Sequence, residues 1–394
     1  MAVKPLDVLV VGGGMYVTGR GADGYHGTIM PALLEARRAG LVGRIGVVTT
    51  SAATAGAAAD TVRDLADRMG VDPDCQAFPE SDGGGAPAVA AQAAFKPDAV
   101  IVSVPDHLHA ETCVPLIEAG CHCLVVKPMA GTLADARAMA EAAARAEVVA
   151  QVEFHKRHDE SNLLLRQAVR GGDLGNPLYA TVEYSQRKMV PRDAFRSWAE
   201  KSNIFQYLGV HYVDLIGWAT GFSPRRVSAW GQKDYLAKLG IDTWDSMQVV
   251  IEWDRGDGTP FVSTHVTNWI DPDTTSAMSD QKICIVGTAG RYQADQKHRG
   301  VESVSDAAGV RQLNPYFTAD WRDDVTDALT FHGYGIKSVH QFLADVSAYR
   351  AGQVGLDVLT AARPSFAGCV AGTAVVEAAR KSLENNSQGI DVQT

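Results

Sequence analysis

The chain has 394 residues, 46% hydrophobic and 21% charged, which is long enough for two domains that each bury a substantial apolar interior. Its 36 Lys and Arg against 46 Asp and Glu leave a net charge of −10 with no basic stripe to neutralise phosphates, which argues against a nucleic-acid partner. No apolar run is long enough to span a bilayer, so no membrane partner is expected and the protein should be soluble.

The amino terminus, MAVKPLDVLVVGGG, passes straight into an apolar run and a Gly-rich turn without the sections of a signal peptide, which predicts a cytoplasmic location. Residues 6–11 read as a buried strand, and Gly12-Gly13-Gly14 follows where a dinucleotide-binding fold needs backbone that can approach a pyrophosphate. Gly12, Gly14, Met15 and Tyr16 are therefore expected at the cofactor. The third glycine of a GxGxxG fingerprint would stand at position 17, which is Val17, so the fingerprint is partial. Glycines at 19, 21, 24 and 27 predict an extended loop, with Arg20 solvated within it, before a helix over 28–39. Residues 45–49 form the second strand. Its end, where a carboxylate would hold the adenosine ribose of NAD, reads Thr49-Thr50-Ser51. With no acid to repel a 2′-phosphate and no arginine close behind to attract one, the cofactor is NAD or NADP. A helix over 52–69 and a loop over 82–87 follow.

Residues 98–130 carry the central unit. The apolar run at 100–104 reads as a strand buried on both faces and stops at Pro105; residues 109–119 have helical spacing, Gly120 ends the helix, and a second run at 123–126 ends at Lys127-Pro128. Parallel strands joined this way present their carboxyl ends on one edge, where open α/β folds bind ligands. Ser103, Pro105, His109, Lys127 and Pro128 are thus expected along the cofactor. A lysine directly after a buried strand sits where desolvation lowers its pKa toward neutrality, making it a usable acid or base. An alanine-rich helix over 132–146 completes a first domain at 1–152. The six cysteines are scattered within apolar runs and read as buried thiols; Cys121-His122-Cys123 has no second ligand pair nearby, so no metal is expected.

From 153 to 394 the pattern changes to alternating segments at 178–184, 248–253 and 261–266, which suits a sheet half covered by helices. Its exposed second face suits a homo-oligomer, a dimer or tetramer. Trp198, Phe205, Tyr207, Tyr212 and Trp218 cluster in sequence around His211. His155 and His158 fall in a polar link with surface character, and His265 reads as a satisfied histidine within the sheet. A helix over 365–383 and a loose tail over 387–394 end the chain.

The Gly-rich turn, VPDHLHAE after the central strand and the strand-terminal Lys-Pro resemble the glucose-fructose oxidoreductase, inositol dehydrogenase and rhizopine-catabolism protein family, Gfo/Idh/MocA. EFHKRHD at 153–159, GGDLGNPLYATVEYS, LGVHYVDLIGWATG at 208–221 and IVGTAGRY at 285–292 extend the resemblance in order over nearly the whole chain. It implies an α/β protein with an N-terminal Rossmann domain and a C-terminal α/β domain with a large open, mostly antiparallel sheet. It also implies NAD(P)-dependent hydride transfer to or from a secondary alcohol or ketone of a sugar, glycoside or cyclitol. Lys127 and His211 would manage the proton; His155, Arg157, Tyr207 and His211 would meet the substrate, with Tyr207 four residues before His211 on the same helix face. Two positions depart from the family pattern. Its usual Glu-Lys-Pro reads Val126-Lys127-Pro128, and the Asp often found four residues before the histidine is Tyr207. A phenol, with an unperturbed pKa near ~10, does not inherit a carboxylate's role, but it can donate a hydrogen bond or join Lys127 in a proton relay. Two further readings stand beside this one: an enzyme that keeps NAD(H) bound and uses transient oxidation for redox-neutral glycoside conversion or cleavage, and a non-catalytic nucleotide-binding regulator. The presence of both Lys127 and His211 argues against the last.

Overall fold

The apolar runs of the first half form six parallel strands: β1 (Leu6–Val11), β2 (Val42–Val48), β3 (Cys75–Phe78), β4 (Ala99–Val102), β5 (His122–Val126) and β6 (Ala150–Glu153). This computed structural model describes residues 4–19, 25–81 and 87–393; Arg20 and residues 82–86 of the expected loop lie outside them. The strand order is β3-β2-β1-β4-β5-β6. Every residue of β1 and β4 is buried, as parallel strands covered on both faces require. The helices are α1 (Met15–Thr18), α2 (Ile29–Arg38), α3 (Ala52–Met69), α4 (Pro87–Phe95), α5 (His109–Glu118) and α6 (Leu133–Ala146). The order reverses between β1 and β4, which opens a crevice at the carboxyl ends of these strands. Among the described residues no helix is long and apolar enough to cross a membrane.

The chain divides into two compact units that interleave. The first comprises Met1–Ala130, Ala134–His155 and Tyr316–Cys369; the second comprises Gly131–Leu133, Lys156–Pro315 and Val370–Thr394. The single cut at 152 is therefore corrected. After residue 315 the chain returns to the first unit, where Leu329, Phe331, Ile336, Val339, Phe342, Leu343 and Val346 join one core with Ile29, Leu33 and Leu34 of α2. An apolar helical stripe reads the same whichever core it fills, so the sequence did not reveal this return.

The second unit is built on a six-stranded mixed sheet of β7 (Pro177–Arg187), β8 (Ser223–Gln232), β9 (Ser246–Asp254), β10 (Pro260–Asp271), β11 (Ser279–Gly287) and β12 (Arg291–Asp295), with the short strand Ile390–Asp391 added beside β8. Only β7 and β10 pair in parallel; the other pairings are antiparallel. The tail is thus no loose end, because Ile390 and Asp391 pair with Val227 and Arg226. Alternation holds along the strands. Ala180, Val182 and Tyr184 of β7 and Met247, Val249, Ile251 and Trp253 of β9 are buried, whereas Tyr179, Thr181 and Glu183 are exposed on the other face. Helices α7 (Glu160–Arg170) and α8 (Val210–Thr220) belong to this unit and pack together.

Candidate active site

The turn after β1 is shaped by two glycines with different demands. Gly12 has φ +117°, and a Cβ there would lie 2.1 Å from the carbonyl oxygen of Ser103, so the turn and the segment after β4 meet with no room for a side chain. The close approach at Gly12 is one of backbone to backbone. At Gly14 a Cβ would meet nothing within 4 Å. Open space lies there at the head of the short helix α1, opened by Gly14, Met15 and Tyr16 and closed by Gly19 in the left-handed conformation. Val17, at the position of the third fingerprint glycine, is fully buried in the core. The residues present fit a dinucleotide: Gly14 leaves a side-chain-free cradle at the switch between β1 and β4.

At the end of β2 the hydroxyls are partly committed. Thr49 Oγ1 lies 2.6 Å from Thr54 Oγ1 and donates to Ser51 O at 3.1 Å, and Ser51 Oγ caps α3 by accepting from the Thr54 N–H at 3.3 Å. Thr50 is exposed beside them. After β4, Ser103 donates its N–H to Val11 O at 2.8 Å, and Pro105 leads into a 3₁₀ turn, Asp106–Leu108. His109 follows, fully buried, with Nδ1 2.8 Å from Pro128 O and Nε2 3.0 Å from Val104 O. It ties the segment after β4 to the segment after β5.

Lys127 leaves the end of β5 half-buried. Burial lowers its pKa from 10.5 to about 8, while the carboxylates of Asp106 and Glu153 act the other way. The lysine therefore exchanges its proton in a range usable by an enzyme. Glu153 ends the adjacent strand β6 and is itself buried: Tyr16 donates its hydroxyl to Oε2 at 3.1 Å, His155 Nδ1 lies 3.0 Å from Oε2, and Ser338 Oγ donates to Oε1. Burial and the Glu153 carboxylate raise the Tyr16 phenol well above its ordinary pKa. Tyr16 thus spends its hydroxyl on Glu153. His155 is no surface group; its ring is buried between Phe317 at 5.1 Å and Tyr334, stacked at 5.7 Å.

In the second unit Arg157 forms a bidentate pair with Asp214 of α8, at 2.8 Å from Nε and 2.6 Å from the terminal nitrogen, and lies 5.7 Å from the Trp218 ring centre. The arginine expected at the substrate clamps the helix that carries His211. Asp214→Asn should cost about 3 kcal/mol or more, because it leaves a largely buried guanidinium without its counter-charge, and urea unfolding monitored by tryptophan fluorescence would show it. The preceding residue, Lys156, is buried among Gln281, Gln296 and the rings of Tyr184 and Tyr212.

Tyr207 and His211 are not joined by one α-helical turn. Phe205–Gly209 is a π-helical turn that runs into α8, where His211 sits buried in the first turn. Gly209 is required because a Cβ there would lie 2.3 Å from the Phe205 ring. The four residues from Tyr207 to His211 are thus spanned by a π turn running into an α-helix and not by α geometry alone. Tyr207 lies among rings, with Phe195 at 5.0 Å, Trp269 at 5.9 Å and Trp198 at 6.0 Å. His265 is bonded at Nε2 to Ser263 Oγ at 2.9 Å, but its Nδ1 has no partner among the described residues; burial pushes its pKa down to about 3, so it stays neutral.

Two family models match the chain: an oxidoreductase family with an NAD-binding Rossmann fold over residues 7–154, and the GFO/IDH/MocA C-terminal domain over residues 163–293. The chain belongs to the GFO/IDH/MocA family. Within that family, the 1,5-anhydro-D-fructose reductase of Ensifer adhaerens is 28% identical over 222 residues, covering 55% of this chain and 63% of the relative, so the match spans less than two thirds of that protein. The myo-inositol 2-dehydrogenase of Thermotoga maritima is 25% identical over 61% of this chain and 70% of its own. Among solved structures, one titled a putative myo-inositol dehydrogenase from Sinorhizobium meliloti 1021 superposes with a TM-score of 0.70 at 18% identity, covering 98% of this chain and all of that one (100%). The GFO/IDH/MocA Rossmann domain makes NAD or NADP the cofactor here. Sequence reading missed Glu153 and Ser338: strand register alone brings the first beside Lys127, and the returning segment supplies the second.

Proposed function

We propose that this protein is an NAD(P)-dependent dehydrogenase that oxidises a secondary alcohol of a sugar, glycoside or cyclitol, or reduces the corresponding ketone. The observation that carries this reading is Lys127, a strand-end lysine with its pKa brought down to about 8, at the ligand-binding edge of a doubly wound sheet. A bound nicotinamide would supply the hydride acceptor. In this reading Gly14, Met15 and the backbone of Tyr16 hold the pyrophosphate, Thr50 with Thr49 and Ser51 meets the ribose, and Ser103, Pro105 and Pro128 flank the cofactor. Neutral Lys127 takes the hydroxyl proton as hydride leaves, and returns it during reduction. His211 is proposed as a hydrogen-bonding group for the substrate.

Tyr207 is proposed as part of an aromatic wall rather than a proton relay, since three rings surround its own. Tyr207→Phe should then hold kcat within about threefold, whereas a relay role would cost about 10²-fold or more in steady-state assays. The open face of the second sheet, with Tyr179, Trp230 and Val266 exposed, is proposed to pair with another copy of the chain. The function is tested by following reduced-nicotinamide absorbance with NAD and NADP against a panel of sugars, glycosides and cyclitols. Turnover of at least one supports the proposal; nucleotide binding without turnover of any would overturn it.

A further inference from the structure

Lys127 follows Val126, so its own strand supplies no neighbouring acid. The adjacent strand does. In the β5–β6 pairing Val126 lies opposite Glu153, the last residue of β6, so a carboxylate stands beside the point where Lys127 leaves the sheet. The Glu153 side chain is only 1% exposed, and a buried carboxylate is tolerated when donors and a counter-charge meet it. Its donors come from three separate segments: the Tyr16 hydroxyl of α1, the Ser338 hydroxyl of the helix Tyr334–Arg350, and the ring of His155. Three elements converging on one acid fix its position more closely than a strand end alone would.

Resting on the reading of Lys127 as the proton-handling group, we propose that Glu153 is its counter-ion, standing in from the neighbouring strand for the acid that Val126 does not supply. Glu153 is a positioning residue. It acts on Lys127 through its charge, favouring the ammonium form, while Tyr16, Ser338 and His155 hold the carboxylate in place. The titratable and charged groups around the pair are Asp106 on the 3₁₀ turn after β4, His109 at Pro128, Tyr16 and Tyr25 on the Gly-rich segment, and His155. Of these only Asp106 shares with Glu153 a negative charge acting on Lys127, so removal of Glu153 leaves one carboxylate where there were two.

The test reads the protonation of Lys127 without turnover. Trace acetylation with acetic anhydride across a pH series, scored at Lys127 by mass spectrometry in the nucleotide-free protein, should give a midpoint near pH 8 in the native chain. Glu153→Gln keeps the shape and one acceptor oxygen, for Tyr16 or for Ser338, but removes the charge; Glu153→Met removes the charge with an apolar side chain of similar length. Each should move the midpoint to lower pH by about one unit, and Glu153→Asp should restore most of it. Circular dichroism melting identifies any variant that fails to fold, and either charge-removing variant suffices. An unmoved midpoint in a folded variant overturns the counter-ion role. Failure of the catalytic reading is separable: it would show as full turnover in Lys127→Ala whatever the labelling midpoint.

Discussion

Replacing Lys127 with alanine is expected to lower kcat by about 10²–10⁴ while leaving the dissociation constant for NADH within a few-fold of the native value, because general acid-base help is of that size and the pyrophosphate cradle is proposed at Gly14. The sign of the pH dependence follows from the direction of the shift. Burial brings the lysine down from 10.5 to about 8, so the neutral amine that accepts a proton during alcohol oxidation accumulates as pH rises through 8. For the native enzyme kcat/KM of oxidation should climb toward a plateau above that pH, and in the reductive direction, which needs the ammonium, it should fall over the same interval. Lys127→Ala should lose both limbs together with the rate. Stopped-flow rates and a fluorescence titration with NADH separate the two effects. A variant that bound nucleotide poorly yet turned over normally when saturated would make Lys127 a cofactor ligand and not a base.

The parts of this protein legible in its sequence are those whose physics is local. β1 spans Leu6–Val11 and α3 spans Ala52–Met69 as the patterns predict, because an uninterrupted apolar run and a long alanine-rich amphipathic stretch each have one good solution. The position of Lys127 at a strand end was legible for the same reason. What the sequence hid depends on pairings between distant residues. Glu153 lies 26 positions after Lys127 and acquires meaning only through the register of β5 with β6. Arg157 has the look of a ligand for a substrate, and its sequence neighbourhood does not show that Asp214, 57 positions on, takes its Nε–Nη2 edge. His155 seems to belong to a polar link, but Phe317 and Tyr334 come back from the far end of the chain to bury it. The π turn before His211 was hidden as well, since residues 205–209 carry ordinary helical spacing and the close fit of the Phe205 ring over Gly209 exists only once the turn has formed.

Gly12 and Gly14, two positions apart in one turn, should answer an added methyl group in opposite ways. Gly12→Ala should destabilise the fold by roughly 2–6 kcal/mol, the sum of a strained positive φ and an overpacked contact, since its Cβ would stand 2.1 Å from the Ser103 carbonyl oxygen and neither backbone segment can yield without breaking the β1–β4 pairing. A domain holds only about 5–15 kcal/mol in all, so the urea midpoint should fall steeply and nucleotide binding should be lost with the fold. Gly14→Ala should do neither harm to the fold. Its backbone, at φ −81° and ψ −167°, suits any residue, and its Cβ meets no atom within 4 Å, so stability should change by less than about 0.5 kcal/mol. The methyl would instead occupy the open cradle, and NADH affinity should weaken by about tenfold or more, equivalent to about 1.4 kcal/mol. Paired urea and NADH titrations on the two variants therefore distinguish a glycine needed by the protein from a glycine needed by the cofactor. If Gly14→Ala bound NADH as tightly as the native chain, the pyrophosphate would have to lie away from the head of α1, and the cofactor assignment for Met15 and Tyr16 would go with it.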